Sequence, residues 1–214
     1  MAYFNRGNLK EAYDVEGAIA DYSAAIAINS NFVDAYCNRG TLKKRLNDYD
    51  GAEMDYNMAI ELDNKNVFLY HVRALLYQDI GKMGNARKDL NKAIGLEPNN
   101  ASPLNSRADL LLAMGELEKA QKDSNSAIEK DSGNFMYYVT RGEIYVAMGK
   151  TREAIIDFNY ALSIKKEIQG AYDNLAKCYR KLAEAEQDEA KKADYISKAV
   201  ADEQKAESLK KAKK

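Results

Sequence analysis

Ala18, Ala52, Ala86, Ala120 and Ala154 stand 34 residues apart, and so do Ala25, Ala59, Ala93, Ala127 and Ala161. A third column holds only small residues, Gly7, Gly40, Ala74, Ala108, Gly142 and Ala176, with a first step of 33 and later steps of 34. Three columns in register mean that one structural unit is built several times over. Such a chain folds as an array in which each unit buries its apolar face on the next. Small residues at fixed places let helix axes approach until larger neighbours interlock. Those neighbours are Tyr3, Tyr36, Tyr70, Leu104, Tyr138 and Tyr172 early in each unit, then Tyr22, Tyr56, Leu90, Ser124 and Phe158 later in it.

Each unit reads as a hairpin, helix A then helix B. Turn signals separate the two at "NDYDGA" (47–52), "GKMGNA" (81–86), "GELEKA" (115–120) and "GKTREA" (149–154), and polar breaks such as "LDNKN" and "LEPNN" close the units. Only 2 prolines occur, and helix formers dominate over β-branched runs, so the expected class is all-α. The units span 1–32, 33–66, 67–100, 101–134 and 135–168, followed by a modified sixth with its cap at 169–200 and a charged tail at 201–214. The first unit is one residue short in its turn and its helix A starts without a capping residue, which suggests a chain that begins inside a longer parent. In the sixth, helix A is expected to run on through "AEAEQDEAKK", with "KADYISKAV" as a capping helix B. The tail loses its apolar stripe and is expected to fray.

The 34-residue period, the small-residue columns, the aromatic three residues before helix B's second alanine and Pro98 at a unit's end resemble the tetratricopeptide repeat family over about residues 1–200. That resemblance implies a right-handed superhelix of about six hairpins, an α-solenoid with a C-terminal capping helix. It also implies a concave groove, lined by A helices, that holds a partner's peptide. Family members that take acidic C-terminal tails carry a clamp of Lys and Asn on one A helix, Asn on the next, and Lys and Arg on the third. The equivalent places here, for example His71/Leu75, Ser106 and Met136/Thr140, supply none of those cations. Such tails are therefore not expected as ligands.

Arginine recurs with the same period at Arg6, Arg39, Arg73, Arg107 and Arg141, and so does aspartate at Asp21, Asp55, Asp89, Asp123 and Asp157. Each Asp follows its unit's Arg by 16 residues, or 15 in the first unit, and both columns end together where Leu175 replaces the arginine. An arginine stem is apolar and its planar head meets a carboxylate with two bonds, so a structural ladder is expected rather than a row of sites for an acidic ligand. The spacing leaves open whether each Asp pairs within its unit or with the next.

Catalytic signals are lacking. Lys+Arg 32 against Asp+Glu 33 gives no basic excess for nucleic acid. No apolar run reaches the roughly 20 residues that span a membrane. "MAYFNRGNLK" lacks the order of a secretion signal, and the two distant cysteines do not form a disulfide framework, so a cytoplasmic setting is the default. His71 is the only histidine and has no partner at metal-ligand spacing. Cys178 reads as core and Cys37 as facing the groove. "IGKMGNARK" is a hairpin turn, not a phosphate loop. No cofactor, metal or catalytic residue is expected.

Two functional classes remain. One is a non-catalytic scaffold that binds a peptide or helix in the groove. The other is a spacer that stacks or dimerises through its end helices. The groove positions of the third to fifth units are Phe68, His71, Leu75, Asn105, Asp109, Met136, Val139 and Glu143. Their apolar and acidic mix favours a protein segment with apolar and basic character, although some of these side chains could instead pack between helices.

Overall fold

The computed structural model describes residues 1–212. Among them there are twelve helices and no strand. They are α1 (Ala2–Lys10), α2 (Val15–Ile28), α3 (Val33–Arg45), α4 (Tyr49–Leu62), α5 (Val67–Asp79), α6 (Met83–Leu96), α7 (Ala101–Ala113), α8 (Leu117–Lys130), α9 (Phe135–Ala147), α10 (Thr151–Ile164), α11 (Gln169–Ala185) and α12 (Glu189–Lys211). They form two compact units, Met1–Pro98 and Asn99–Lys214. The first contains the hairpins α1/α2, α3/α4 and α5/α6, and the second contains α7/α8, α9/α10 and α11/α12. Within each unit every B helix packs on the A helix that follows, as α2 does on α3 and α10 on α11. The all-α solenoid class expected from the period is what the fold shows.

Local chemistry sets the period. Asn66, Asn100 and Asn134 cap α5, α7 and α9, each side chain accepting from the amide two residues on, and Asp14 and Asp48 cap α2 and α4. The A–B turns of the second to fifth hairpins hold one left-handed residue each, Asn47 (φ 61°), Gly81 (74°), Gly115 (75°) and Gly149 (76°). The first hairpin's turn, residues 11–14, has none, and the missing residue of that unit is taken from the short α1 instead. A side chain in that conformation costs about 1–2 kcal/mol, and only glycine avoids it. Gly149→Ala should therefore lower stability by about 1 kcal/mol, whereas Asn47→Gly should not lower it; parallel thermal melts check both signs.

The small column is graded by what faces it. A Cβ added at Gly142 would lie 2.6 Å from Phe158 Cε1, one at Gly7 would lie 2.8 Å from Tyr22 Cε1, and one at Gly40 would lie 3.1 Å from Tyr56 Cε1. Where the facing column instead holds Leu90 or Ser124, the small residue is Ala74 or Ala108. Glycine thus stands where the B helix supplies a buried aromatic ring, and alanine where it does not.

The arginine column is also resolved. Each arginine donates Nε and Nη2 to both oxygens of its own hairpin's Asp, at 2.7 and 2.8 Å for Arg141–Asp157 and at 2.9 and 2.6 Å for Arg39–Asp55. Pairing is within the hairpin. The remaining Nη1 reaches the previous hairpin's B helix, from Arg39 to Ser23 Oγ (2.9 Å), from Arg73 to Asn57 Oδ1 (2.6 Å) and from Arg141 to Asn125 Oδ1 (2.9 Å). Aromatic faces hold the guanidinium flat, as Tyr138 and Tyr145 do for Arg141. One side chain therefore fastens three helices. Asp21, bonded first by Arg6 and also by Lys10, has its pKa lowered to about 2 against the opposing effect of burial. A depressed folded pKa contributes stability above the ordinary carboxylate range that is lost as pH falls toward 2.

The C-terminal hairpin corrects two expectations. Helix A does not run through to 192: α11 stops at Ala185 and Asp188 caps a new helix by accepting from Ala190 and Lys191. The segment from 201 does not fray, because α12 continues to Lys211 with Ala199, Ala206 and Leu209 buried; residues 213–214 of the expected tail lie outside the described residues. α11 has 17 residues against 13 in α9, an addition of about one turn, so the helix B pattern returns four residues late. Tyr195, Ile196, Ser197, Ala199 and Val200 then occupy the places of Asp157, Phe158, Asn159, Ala161 and Leu162.

Candidate functional site

In the first unit, Phe68, His71 and Leu75 recur at helical spacing along one side of α5. Phe68 is 59% exposed, although its amide is tied to the Asn66 cap at 3.1 Å. Leu75 is at the edge of exposure, and His71 is half-buried, with burial pushing its pKa down toward the neutral ring. The A side of the first two hairpins is polar instead. The Tyr22 hydroxyl lies 2.7 Å from Asn8 Oδ1 and also bonds the Glu11 carboxylate, and Asn38 Nδ2 donates to Asn8 at 3.3 Å. Cys37, expected in the groove, is buried in the core cluster with Tyr56, Leu69 and Tyr70, and burial raises its thiol to about 11. Cys178 is core as expected. Neither is poised as a nucleophile.

In the second unit, Asn105 and Asp109 lie one turn apart on α7, and Met136, Val139 and Glu143 follow one another along α9. Met136 is 48% exposed at the capped start of α9. Val139 is half-buried and packs against the cluster of Phe158, Ala171 and Leu175, so its role is largely between hairpins. Glu143 accepts from Asn174 Nδ2 at 3.2 Å, yet burial first and the charge of Asp109 second hold its carboxyl above the usual range. The buried Oδ1 of Asn105 has no protein donor among the described residues.

Several contacts had no isolated sequence signal. The Tyr77 hydroxyl and Lys82 both reach Glu53 (3.0 and 2.8 Å), and Lys150 reaches Gln121 at 3.4 Å in the equivalent place of the second unit. The column at 53 and 121, with Asn57 and Asn125 one turn on, could have disclosed a polar seam between hairpins.

Antiparallel hairpins, the first five of them braced by a bidentate Arg–Asp pair, define an α-helical repeat scaffold. Family models agree: a TPR repeat model matches residues 14–47, and tetratricopeptide repeat models match 33–66, 69–100 and 137–168. The chain belongs to the tetratricopeptide repeat family. No curated protein matches it by sequence. Among solved structures, MamA is 25% identical with TM-score 0.65, covering 82% of this chain and 97% of its own. A tetratricopeptide repeat protein from Parabacteroides merdae is 20% identical with TM-score 0.72, covering 97% of this chain and 92% of its own. YrrB, described as a TPR protein with an unusual peptide-binding site, is 21% identical with TM-score 0.60 and covers 79% of this chain and 88% of its own. The last two likenesses show the fold alone. The repeats and their relatives make the chain a protein–protein interaction scaffold, in a family that is generally non-catalytic. No described helix is long and apolar enough to cross a membrane.

Proposed function

We propose that the chain binds segments of a partner protein on the open sides of its A helices, through Phe68, His71 and Leu75 in the first unit and through Asn105, Asp109, Met136, Val139 and Glu143 in the second. The exposure of Phe68 and Met136 carries this reading, since both sit at the second position of a capped helix that already has its core contacts from other residues. An exposed aromatic and a thioether suit apolar side chains of varied shape. Asp109 and Glu143 favour a segment with Lys or Arg beside its apolar residues. Peptide arrays probed with the purified chain should select that pattern, and Phe68→Ser with Met136→Ser should abolish capture without moving the thermal melt. Selection that survives both substitutions would sink the reading.

Protonation supplies a second check. A partner cation favours the charged form of Glu143, so affinity should fall as pH drops through its raised pKa, and Glu143→Gln should flatten that dependence. In the free chain the sign is opposite. A carboxyl held above its ordinary value loses stability as pH rises through that value, so Glu143→Gln should stabilise the fold slightly while weakening binding. Titration calorimetry in buffers of different ionisation heat reads the proton released on binding.

A further inference from the structure

The stacking joint between hairpins is drawn three times inside the two units, and the chain carries one unfilled copy of each half. At the inner joints the arginine's Nη1 is accepted by Ser23, Asn57 or Asn125 of the preceding B helix. Arg6 binds Asp21 in the same bidentate way, but its Nη1 has no acceptor among the described residues. Its side chain is 57% exposed, against 17% for Arg39 and Arg73 and 20% for Arg141. Tyr3, beside it, is 42% exposed where Tyr70 and Tyr138 are 7%. Among the described residues no helix covers this joint surface.

The other half lies on α12. Ser197 occupies the acceptor place, and Val200, three residues on, occupies that of Ile60, which packs with Val67 and Tyr70 of the next hairpin. Val200 is 38% exposed against 9% for Ile60. Serine is a working acceptor here, because Ser23 Oγ donates to Ile19 O at 2.8 Å and still accepts from Arg39.

We propose that the chain self-associates head to tail, with α1 of one copy packed on α12 of another. Arg6 Nη1 donates to Ser197 Oγ, and Tyr3 covers Val200. The two surfaces differ, so the contact is heterologous and leaves one free half at each end of a growing row.

Sedimentation velocity of the purified chain should show mass rising with concentration. Tyr3→Glu and Val200→Glu should each stay monomeric, and Ser197→Arg should match the latter, with helical melts unchanged because all three positions are exposed. Mixing Tyr3→Glu with Val200→Glu should give a dimer and nothing larger, since each variant retains the half that the other lacks. A wild-type monomer at every concentration overturns the proposal, as do variants that still assemble or a mixture that stays monomeric. Phe68→Ser with Met136→Ser should leave assembly untouched, which keeps this result separate from the one on partner binding.

Discussion

Replacing Arg141 with alanine should cost about 3–5 kcal/mol, far more than a surface ion pair contributes. The reason lies with the partner left behind. Asp157 is 3% exposed and receives both of its bonds from Arg141, so removing the arginine strands a buried carboxylate. The bond to Asn125 is lost with it, which loosens the joint to the preceding hairpin. Removing Asp157 as well should recover part of the loss, because no charge then remains buried. Urea melts of the two single variants and the double one measure the coupling directly, and losses that simply add would refute the pairing. Arg141→Lys should restore little, since an ammonium cannot make two parallel bonds and reach Asn125 at once. Arg6→Ala should be milder, because water already reaches that side chain.

Gly142→Ala should destabilise by about 1–3 kcal/mol, although alanine is the better helix former by about 1 kcal/mol. The two effects have opposite signs, so the outcome decides between them. A methyl group there meets Phe158 Cε1 at 2.6 Å and Cδ1 at 2.9 Å, and Phe158 is fully buried with no free side to move toward. Overpacking should win. Gly142→Ala combined with Phe158→Leu recreates the pair found at Ala74 and Leu90 and should recover much of the loss. Gly95→Ala on α6 is the control, with no atom within 4 Å of the added methyl, and should stabilise modestly. Chemical melts of the three variants check the signs. Stabilisation by Gly142→Ala alone would show that the ring yields.

The repeat and the brace were legible because both are periodic: one residue type returned to one place, and its acid followed at a fixed distance. Periodicity did not tell own-hairpin pairing from neighbour pairing, since either keeps the interval. Nor did it disclose Nη1, whose acceptors vary between Ser and Asn. The exchange of Gly for Ala against Tyr, Phe, Leu or Ser was present in the sequence, but it is visible only when the two columns are read as pairs. Cys37 belongs to the side column that also holds Phe4 and His71, and its burial depends on how closely its neighbours pack. The last helix was underestimated for a simple reason. Ala199 and Ala206 touch α11 one heptad apart, too sparse a stripe to read as apolar in a charged segment. The open-side residues are proposals of a different kind, because a surface free of core duty follows no period.

The loss of the arginine at Leu175 changes how the last joint responds to temperature. Elsewhere within the units a guanidinium fastens hairpin to hairpin, but α10 and α11 meet through Phe158, Ala171, Leu175 and Cys178, an apolar contact. Apolar burial weakens on cooling, whereas a charged bond does not depend on that driving force. Near freezing, the C-terminal hairpin should therefore be the first to exchange its amide hydrogens, while the braced hairpins stay closed. The array would then have a cold end.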